Sequence, residues 1–291
     1  MKRIGKEDNK QHTNLGCAKS SAEMRLKMKI GFIGLGNMAS AMIGGIIKNQ
    51  VVESGDIYGS DHFKEAVDKA QNLFRIQPLA TNVEVAKKCD VLVLSVKPQF
   101  YVDVITEIKD VVKEDTLIIT IAPGKTLKWL SQFFGGTHKI IRCMPNTPAL
   151  VGEGCTGVCK NEYVTKEELN QVLTILNSFG KAYEVAEYMM DAVVSVSGSS
   201  PAYVFMLIEA MADGAVEAGM PRKDAYAFAA QAVLGSAKMV LETGKHPGEL
   251  KDMVCSPAGT TIEAVRVLEE KGFRSSVIEA MRACTEKSKN M

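Results

Sequence analysis

The stretch "KIGFIGLGNMASAM" constrains this chain more than any other. A short apolar run ends at Ile33, Gly34, Gly36 and Ala39 follow in G-x-G-x-x-A spacing, and an amphipathic stretch over 38–48 comes directly after. Each of the three small residues has a physical task. Gly34 permits a tight turn, Gly36 has no Cβ and so lets backbone amides approach a pyrophosphate at the helix N-terminus, and Ala39 lets helix and strand pack closely. Glycines in this spacing are weak evidence alone. Between a strand and a helix at the head of a βαβ series they predict a dinucleotide-binding fold.

The series is present. "DIYGS" is followed by a helical stretch over 63–72, "DVLVLSV" by 100–112, "TLIITIA" by 127–134, and "KIIRCM" closes the run. Short Ile- and Val-rich runs separated by helical periods imply a parallel sheet covered on both faces, a doubly wound α/β domain. "GCTGVCK" and "KAYEV" read as further strands, separated by a helix over 166–179 that opens with the capping signature Thr165-x-x-Glu168. After about Ala186 the strands stop. Helices are expected over 190–196, 200–218, 222–242, 260–271 and 275–287, with breaks at "GMPR", "TGKHPG" and "SPAG". The expected division is a dinucleotide-binding domain over 28–186 and an all-helical dimerisation domain over 187–291. Residues 1–27 are polar, have no apolar leader core and carry Glu7, Asp8 and Glu23, so they read as an extension outside the fold and the cytoplasm as the expected location.

Charge and cysteine usage narrow the function classes. Lys plus Arg (35) nearly balances Asp plus Glu (34), which gives no global positive field for nucleic acid or anionic membranes. The seven cysteines are scattered, and the one close pair, Cys155 and Cys159, has no nearby His, so reduced thiols on a strand are expected and no metal. No continuous run of about 18 apolar residues occurs. The helix near Ser200 is apolar over most of its circumference (Val204, Phe205, Leu207, Ile208, Met211, Ala212). Such a helix needs burial on several sides, and packing against a second subunit supplies it; a central helix in a monomer is the alternative.

The second strand bears on cofactor choice. It ends at "YGSD", where an acid normally pairs with the ribose 2′-hydroxyl of NAD, whereas Ser or a cation suits the 2′-phosphate of NADP. Asp61 favours NADH; Ser60, His62 and Lys64 suit NADPH.

Four further motifs are not generic. "SVKPQ" (95–99), "RCMPNTPALVGEG" (142–154), "SGSSPAYVFMLIEAMADG" (197–214) and "LKDMVCSPAGTTIEAVRVLEEKGFR" (250–274) together resemble pyrroline-5-carboxylate reductases, from Met28 to the C-terminus. The resemblance implies hydride transfer from NADPH, or NADH as the alternative, to 1-pyrroline-5-carboxylate, giving L-proline in the last step of proline synthesis. It implies that Ile33, Gly34, Leu35, Gly36, Asn37, Met38, Asn82, Val96, Lys97, Pro98, Ile121, Ala122 and Pro123 line the cofactor, joined by Ser60 and Asp61. Ser256, Gly259, Thr260 and Thr261 would hold the substrate, with Glu187 by analogy with some relatives. Homodimers with interlocked helical domains, often assembled as pentamers of dimers, are also implied. Met253 stands where some relatives carry an Asn that touches the cofactor across the subunit boundary.

The residues themselves suit that chemistry. "SPAGTTIEAV" reads as a turn entering a helix, with Thr260 or Thr261 in a capping position and free amides suited to a carboxylate. A cyclic imine arrives protonated and electrophilic, so no strong acid is needed, which fits four histidines (12, 62, 138, 246) that lie outside the substrate motif. Thr261 is the expected hydrogen-bond partner of the ring nitrogen and Lys97 a cofactor-side residue. Two rivals share the architecture. A 3-hydroxyacid dehydrogenase is expected to carry a lysine on the helix after the domain junction, and residues 197–219 contain none; a non-catalytic NADPH-binding sensor would bind without turnover.

Overall fold

The computed structural model describes residues 25–290. Cys17 and His12, and all but the last three residues of the expected extension, lie outside them. Two of those three contact the fold: the Leu26 amide donates to Val51 O at 2.9 Å and its side chain packs against the core, and Arg25 pairs with Glu53.

Eight strands form one sheet in the order β3-β2-β1-β4-β5-β6-β7-β8. They are β1 (Ile30–Ile33), β2 (Ile57–Ser60), β3 (Gln77–Pro78), β4 (Val91–Leu94), β5 (Leu117–Thr120), β6 (Lys139–Met144), β7 (Gly154–Lys160) and β8 (Gly180–Glu184). β1 to β6 are parallel, as the Ile/Val runs predict. β7 turns back antiparallel to β6, and β8 runs parallel to β7. Successive residues of the central strands face opposite sides of the sheet. Ile30, Phe32, Val91, Val93, Ile119, Ile141 and Val158 face α1 (Asn37–Lys48), α2 (Lys64–Phe74) and α6 (Lys166–Leu176). Ile33, Leu92, Leu94, Ile118, Ile140 and Cys159 face α3 (Asn82–Lys88), α4 (Tyr101–Ile108) and α5 (Leu127–Phe134). Both sides of β1, β2 and β4 to β7 are buried, which is why no polar face shows in their sequence, whereas β3 and β8 at the two edges are largely uncovered.

Three elements escape the sequence pattern. β3 is two residues long. α3 has seven residues, too few for a readable period, yet its capping box is complete: Thr81 Oγ1 accepts from the Glu84 amide and Glu84 reaches back to the Thr81 amide. The third is α10 (Pro247–Val254), where "HPG" reads as a breaker but acts as a start, with Pro247 at the first position and the His246 ring accepting from the Gly248 amide at 3.0 Å.

The helical half continues with α7 (Met190–Val193), a π-turn (Val194–Gly198), α8 (Ser200–Glu217), α9 (Arg222–Thr243), α11 (Thr260–Glu270) and α12 (Phe273–Lys289). Met190 is buried in the α3–α5 face of the sheet domain, and α12 returns to this junction, where Ser288 Oγ donates to Asp191 Oδ1 at 2.7 Å. α8 pairs with α9 but buries only Ala212. Phe205, Met206, Phe228 and Leu241 are 63, 68, 69 and 77% exposed. The monomeric central-helix alternative therefore fails: the apolar circumference of α8 is not covered within one chain. Helical turns run from Glu187 to Glu217, and by length and composition alone this is the one stretch among the described residues apolar enough to cross a membrane. Interspersed Ser and Gly residues, with Asp191, Glu209 and Asp213, keep it from forming a continuous apolar run, which is why counting consecutive residues overlooks it.

Candidate active site

The carboxyl ends of β1, β2, β4 and β5 bring the expected cofactor residues to one edge of the sheet. β1 pairs with β2 on one side and β4 on the other, so chain order reverses at β1 and a crevice opens there. Gly34 has φ +95°, and a Cβ on it would lie 2.9 Å from the Ser95 carbonyl. The turn is clasped from both sides: the Gly34 amide donates to Ser60 O at 2.9 Å, and Ser95 Oγ donates to Gly34 O at 2.7 Å. Ser95 belongs to "SVKPQ", and its role as the clasp has no local sequence signal. A Cβ on Gly36 would meet nothing within 4 Å, and Gly36 caps α1 with no side chain on the first-turn amides. Open space in front of free amides fits a pyrophosphate, so the residues present suit a dinucleotide.

The rest of the edge follows. Val96, Pro98, Ile121 and Pro123 are half-buried, Ala122 is buried and Lys97 is exposed. At the β2 end, Ser60 Oγ donates to Asn82 Oδ1 at 2.8 Å, and Asn82 Nδ2 donates to Glu107 Oε2 at 2.7 Å. Asp61 Oδ2 accepts from the Leu35 amide at 2.6 Å, inside the glycine turn, and Oδ1 accepts from the Phe63 amide at 2.9 Å. Beneath this edge Tyr101 is fully buried, donating to Leu94 O at 2.6 Å and accepting from Thr120 Oγ1 at 3.0 Å. Burial pushes its phenol up to about 12.

The expected substrate segment has a different geometry from a side-chain-capped helix. The N-cap of α11 is Gly259, with no side-chain cap, and Thr260 and Thr261 are the first residues of the helix itself. The amides are therefore left open rather than satisfied by a threonine. The turn before them is tight: the Gly259 amide donates to Ser256 O at 3.1 Å, a Cβ on Gly259 would fall 2.4 Å from Ser256 Oγ, and Ala258 takes φ +56°. Ser256 and Thr260 are exposed, Gly259 and Thr261 half-buried. Among the described residues no hydrogen bond or ion pair links 256–261 to the glycine turn.

Glu187 lies at the junction between the two halves of the chain. Its Oε1 accepts from the Leu127 amide at 2.6 Å, at the start of α5, and from buried Arg142 at 3.1 Å. That oxygen joins the two halves of the chain. Asn146, in "RCMPNTPALVGEG", makes a second junction, with Nδ2 donating to Ser197 O at 2.9 Å in the π-turn and Oδ1 accepting from the Cys155 amide at 2.7 Å. Cys155 and Cys159 lie on β7, and among the described residues no His/Cys/Asp/Glu group could hold a metal.

Comparison with known proteins agrees with this arrangement. A family model for pyrroline-5-carboxylate reductase dimerisation matches residues 187–291, and one described as NADP oxidoreductase, coenzyme F420-dependent, matches 29–124. A pyrroline-5-carboxylate reductase of Escherichia coli (strain K12) is 54% identical over 91% of this chain and 99% of the relative. The chain belongs to the pyrroline-5-carboxylate reductase family. Solved structures of such reductases superpose over its full described fold. That of Coxiella burnetii gives a TM-score of 0.86 at 34% identity, covering 91% of this chain and 98% of the other. The Plasmodium falciparum pyrroline carboxylate reductase, crystallised with NADP bound, gives 0.84 at 33% identity with the same coverage. Within the pyrroline-5-carboxylate reductase family the helical half has a dimerising role, which accounts for the uncovered apolar faces of α8 and α9.

Proposed function

We propose that the chain reduces 1-pyrroline-5-carboxylate to L-proline with NAD(P)H, the final step of proline synthesis. Family membership over 91% of the chain carries this reading, because it spans both the glycine turn and the segment that opens α11. When bound, the reduced nicotinamide supplies the hydride. Ile33 to Met38 would hold the pyrophosphate, Ser60, Asp61 and Asn82 the adenosine end, and Val96 to Pro98 with Ile121 to Pro123 the nicotinamide end. The open amides of α11, with Ser256, Gly259 and Thr260, suit the substrate carboxylate, and Thr261 Oγ1 the ring nitrogen. The imine is basic enough to arrive protonated, so this chain's residues position it rather than acidify it.

Since 256–261 is largely exposed and, among the described residues, has no hydrogen bond or ion pair to the glycine turn of its own chain, each site would pair the crevice of one protomer with the α11 entrance of its dimer partner. A pentamer of dimers is the further assembly within this proposal. The cytoplasm is its proposed location, supported by six free cysteines among the described residues, which suit a reducing compartment. No membrane or nucleic-acid partner is invoked, because the apolar helix is used in the dimer.

The test follows nicotinamide absorbance with 1-pyrroline-5-carboxylate and then with 3-hydroxyacids. Oxidation with the imine alone is expected; binding of dinucleotide without turnover would overturn the proposal in favour of a sensor. Thr261→Ala is expected to lower kcat/KM by roughly ten- to a thousandfold. Unchanged kinetics would remove Thr261 from the mechanism.

A further inference from the structure

The two halves of the chain meet beside the carboxyl end of β6, on the same sheet edge as the cofactor residues. Here the helical path into α8 is interrupted. The Ser199 amide donates to Val194 O at 2.8 Å, which closes the wide ring of the π-turn, and Pro201 follows in the first turn of α8. In a regular helix the Ser197 carbonyl would accept from the amide four residues on, but that residue is Pro201, which has no N–H to give. Asn146 supplies the missing donor. Its Nδ2 donates to Ser197 O at 2.9 Å, while its Oδ1 is anchored on the Cys155 amide of β7 at 2.7 Å, and the residue is buried. The packing around this bond is close: a Cβ on Gly157 of β7 would fall 2.7 Å from Val193 at the end of α7, and one on Gly198 would fall 3.2 Å from the Met144 side chain.

We infer that Asn146 is a positioning residue for the reduction, because it fixes the start of α8 against the end of β6. The inference rests on the proposed reaction and on a site shared between protomers. α8 carries the uncovered apolar face on which a partner copy packs, so the point where α8 begins sets where the partner's α11 entrance stands over the crevice. Both polar groups of Asn146 are committed to protein partners, and its influence on the reacting atoms passes through the π-turn. A misplacement of about 1 Å between reacting groups costs on the order of a hundredfold in rate.

Asn146→Asp keeps the acceptor for the Cys155 amide and turns the donor into an oxygen facing the Ser197 carbonyl. In the purified oligomer, kcat for imine reduction is expected to fall about ten- to a hundredfold, with the Kd for NADPH, read from its fluorescence, within about twofold of wild type. The deuterium isotope effect from NADPH labelled at C4 should rise, since hydride transfer becomes the slow step. A second variant reaches the same junction from the other side. Gly157→Ala pushes α7 away from β7 and is expected to lower kcat in the same way, and adding Val193→Ala, which removes the two crowding methyl groups, is expected to restore most of it. If kcat and the isotope effect stay at wild-type values in Asn146→Asp, or in Gly157→Ala should the first variant fail to fold, the inference is overturned even where the melting temperature falls, and the proposed reaction stands. Wild-type protein that does not reduce the imine overturns that reaction and the inference with it.

Discussion

Tyr101 shows how a single side chain supports the cofactor edge without touching a ligand. Its hydroxyl links the end of β4 to Thr120 at the end of β5, two strands whose loops form one side of the crevice. Tyr101→Phe leaves the Leu94 carbonyl and the Thr120 hydroxyl buried without this partner, and is expected to cost about 1–3 kcal/mol in urea unfolding. The phenol also links stability to pH. Its folded pKa is about 12 against an ordinary 10.0, and burial likewise raises the Cys89 and Cys159 thiols to about 12 from 9.0. Groups raised in this way are fully stabilising below their unfolded values. Stability is therefore expected to fall from about pH 9 upward through pH 12, and less steeply in Tyr101→Phe, as measured by unfolding across that range.

The junction between the halves is an element-scale device. Glu187 ties the start of α5 to Arg142 on β6 just before the chain enters α7, and Asn146 ties the loop after β6 to the π-turn. Replacing Glu187 by Ala strands a buried guanidinium and uncaps an α5 amide. The Glu187 side chain is 34% exposed, so the expected loss is about 1–3 kcal/mol, below that of a fully buried pair. Adding Arg142→Met is expected to restore part of it, which a double-mutant unfolding cycle would detect. Undiminished stability in Glu187→Ala would show that the junction is held by Met190 and Asn146 without it. The π-turn itself places one extra residue between α7 and α8, and no periodicity in "VSVSG" announces it.

At the scale of the whole molecule, the uncovered faces of α8 and α9 call for a partner copy, as the family's dimerisation domain supplies. The double substitution Phe205→Glu, Phe228→Glu places charge on both faces where apolar burial is required. Light scattering is expected to show a shift toward monomer, with imine reduction lost and dinucleotide binding retained. A stable oligomer with normal turnover would mean that these faces are not the dimer contact.

Much of this organisation is legible along the chain because its causes are local. Strand and helix periods, the Gly34-x-Gly36-x-x-Ala39 turn, the Thr165 capping box and the end of the strands after Ala186 are all set by neighbours within a few residues, and the four motifs carry the family. Short elements are lost because seven residues in α3 hold less than two full turns of pattern. What only the tertiary structure decided lies between residues far apart in sequence. The reversal of β7, the capture of Glu187 by Leu127 and Arg142, and the grip of Leu35 on Asp61 each depend on which surfaces meet in space, and no window of sequence contains both partners.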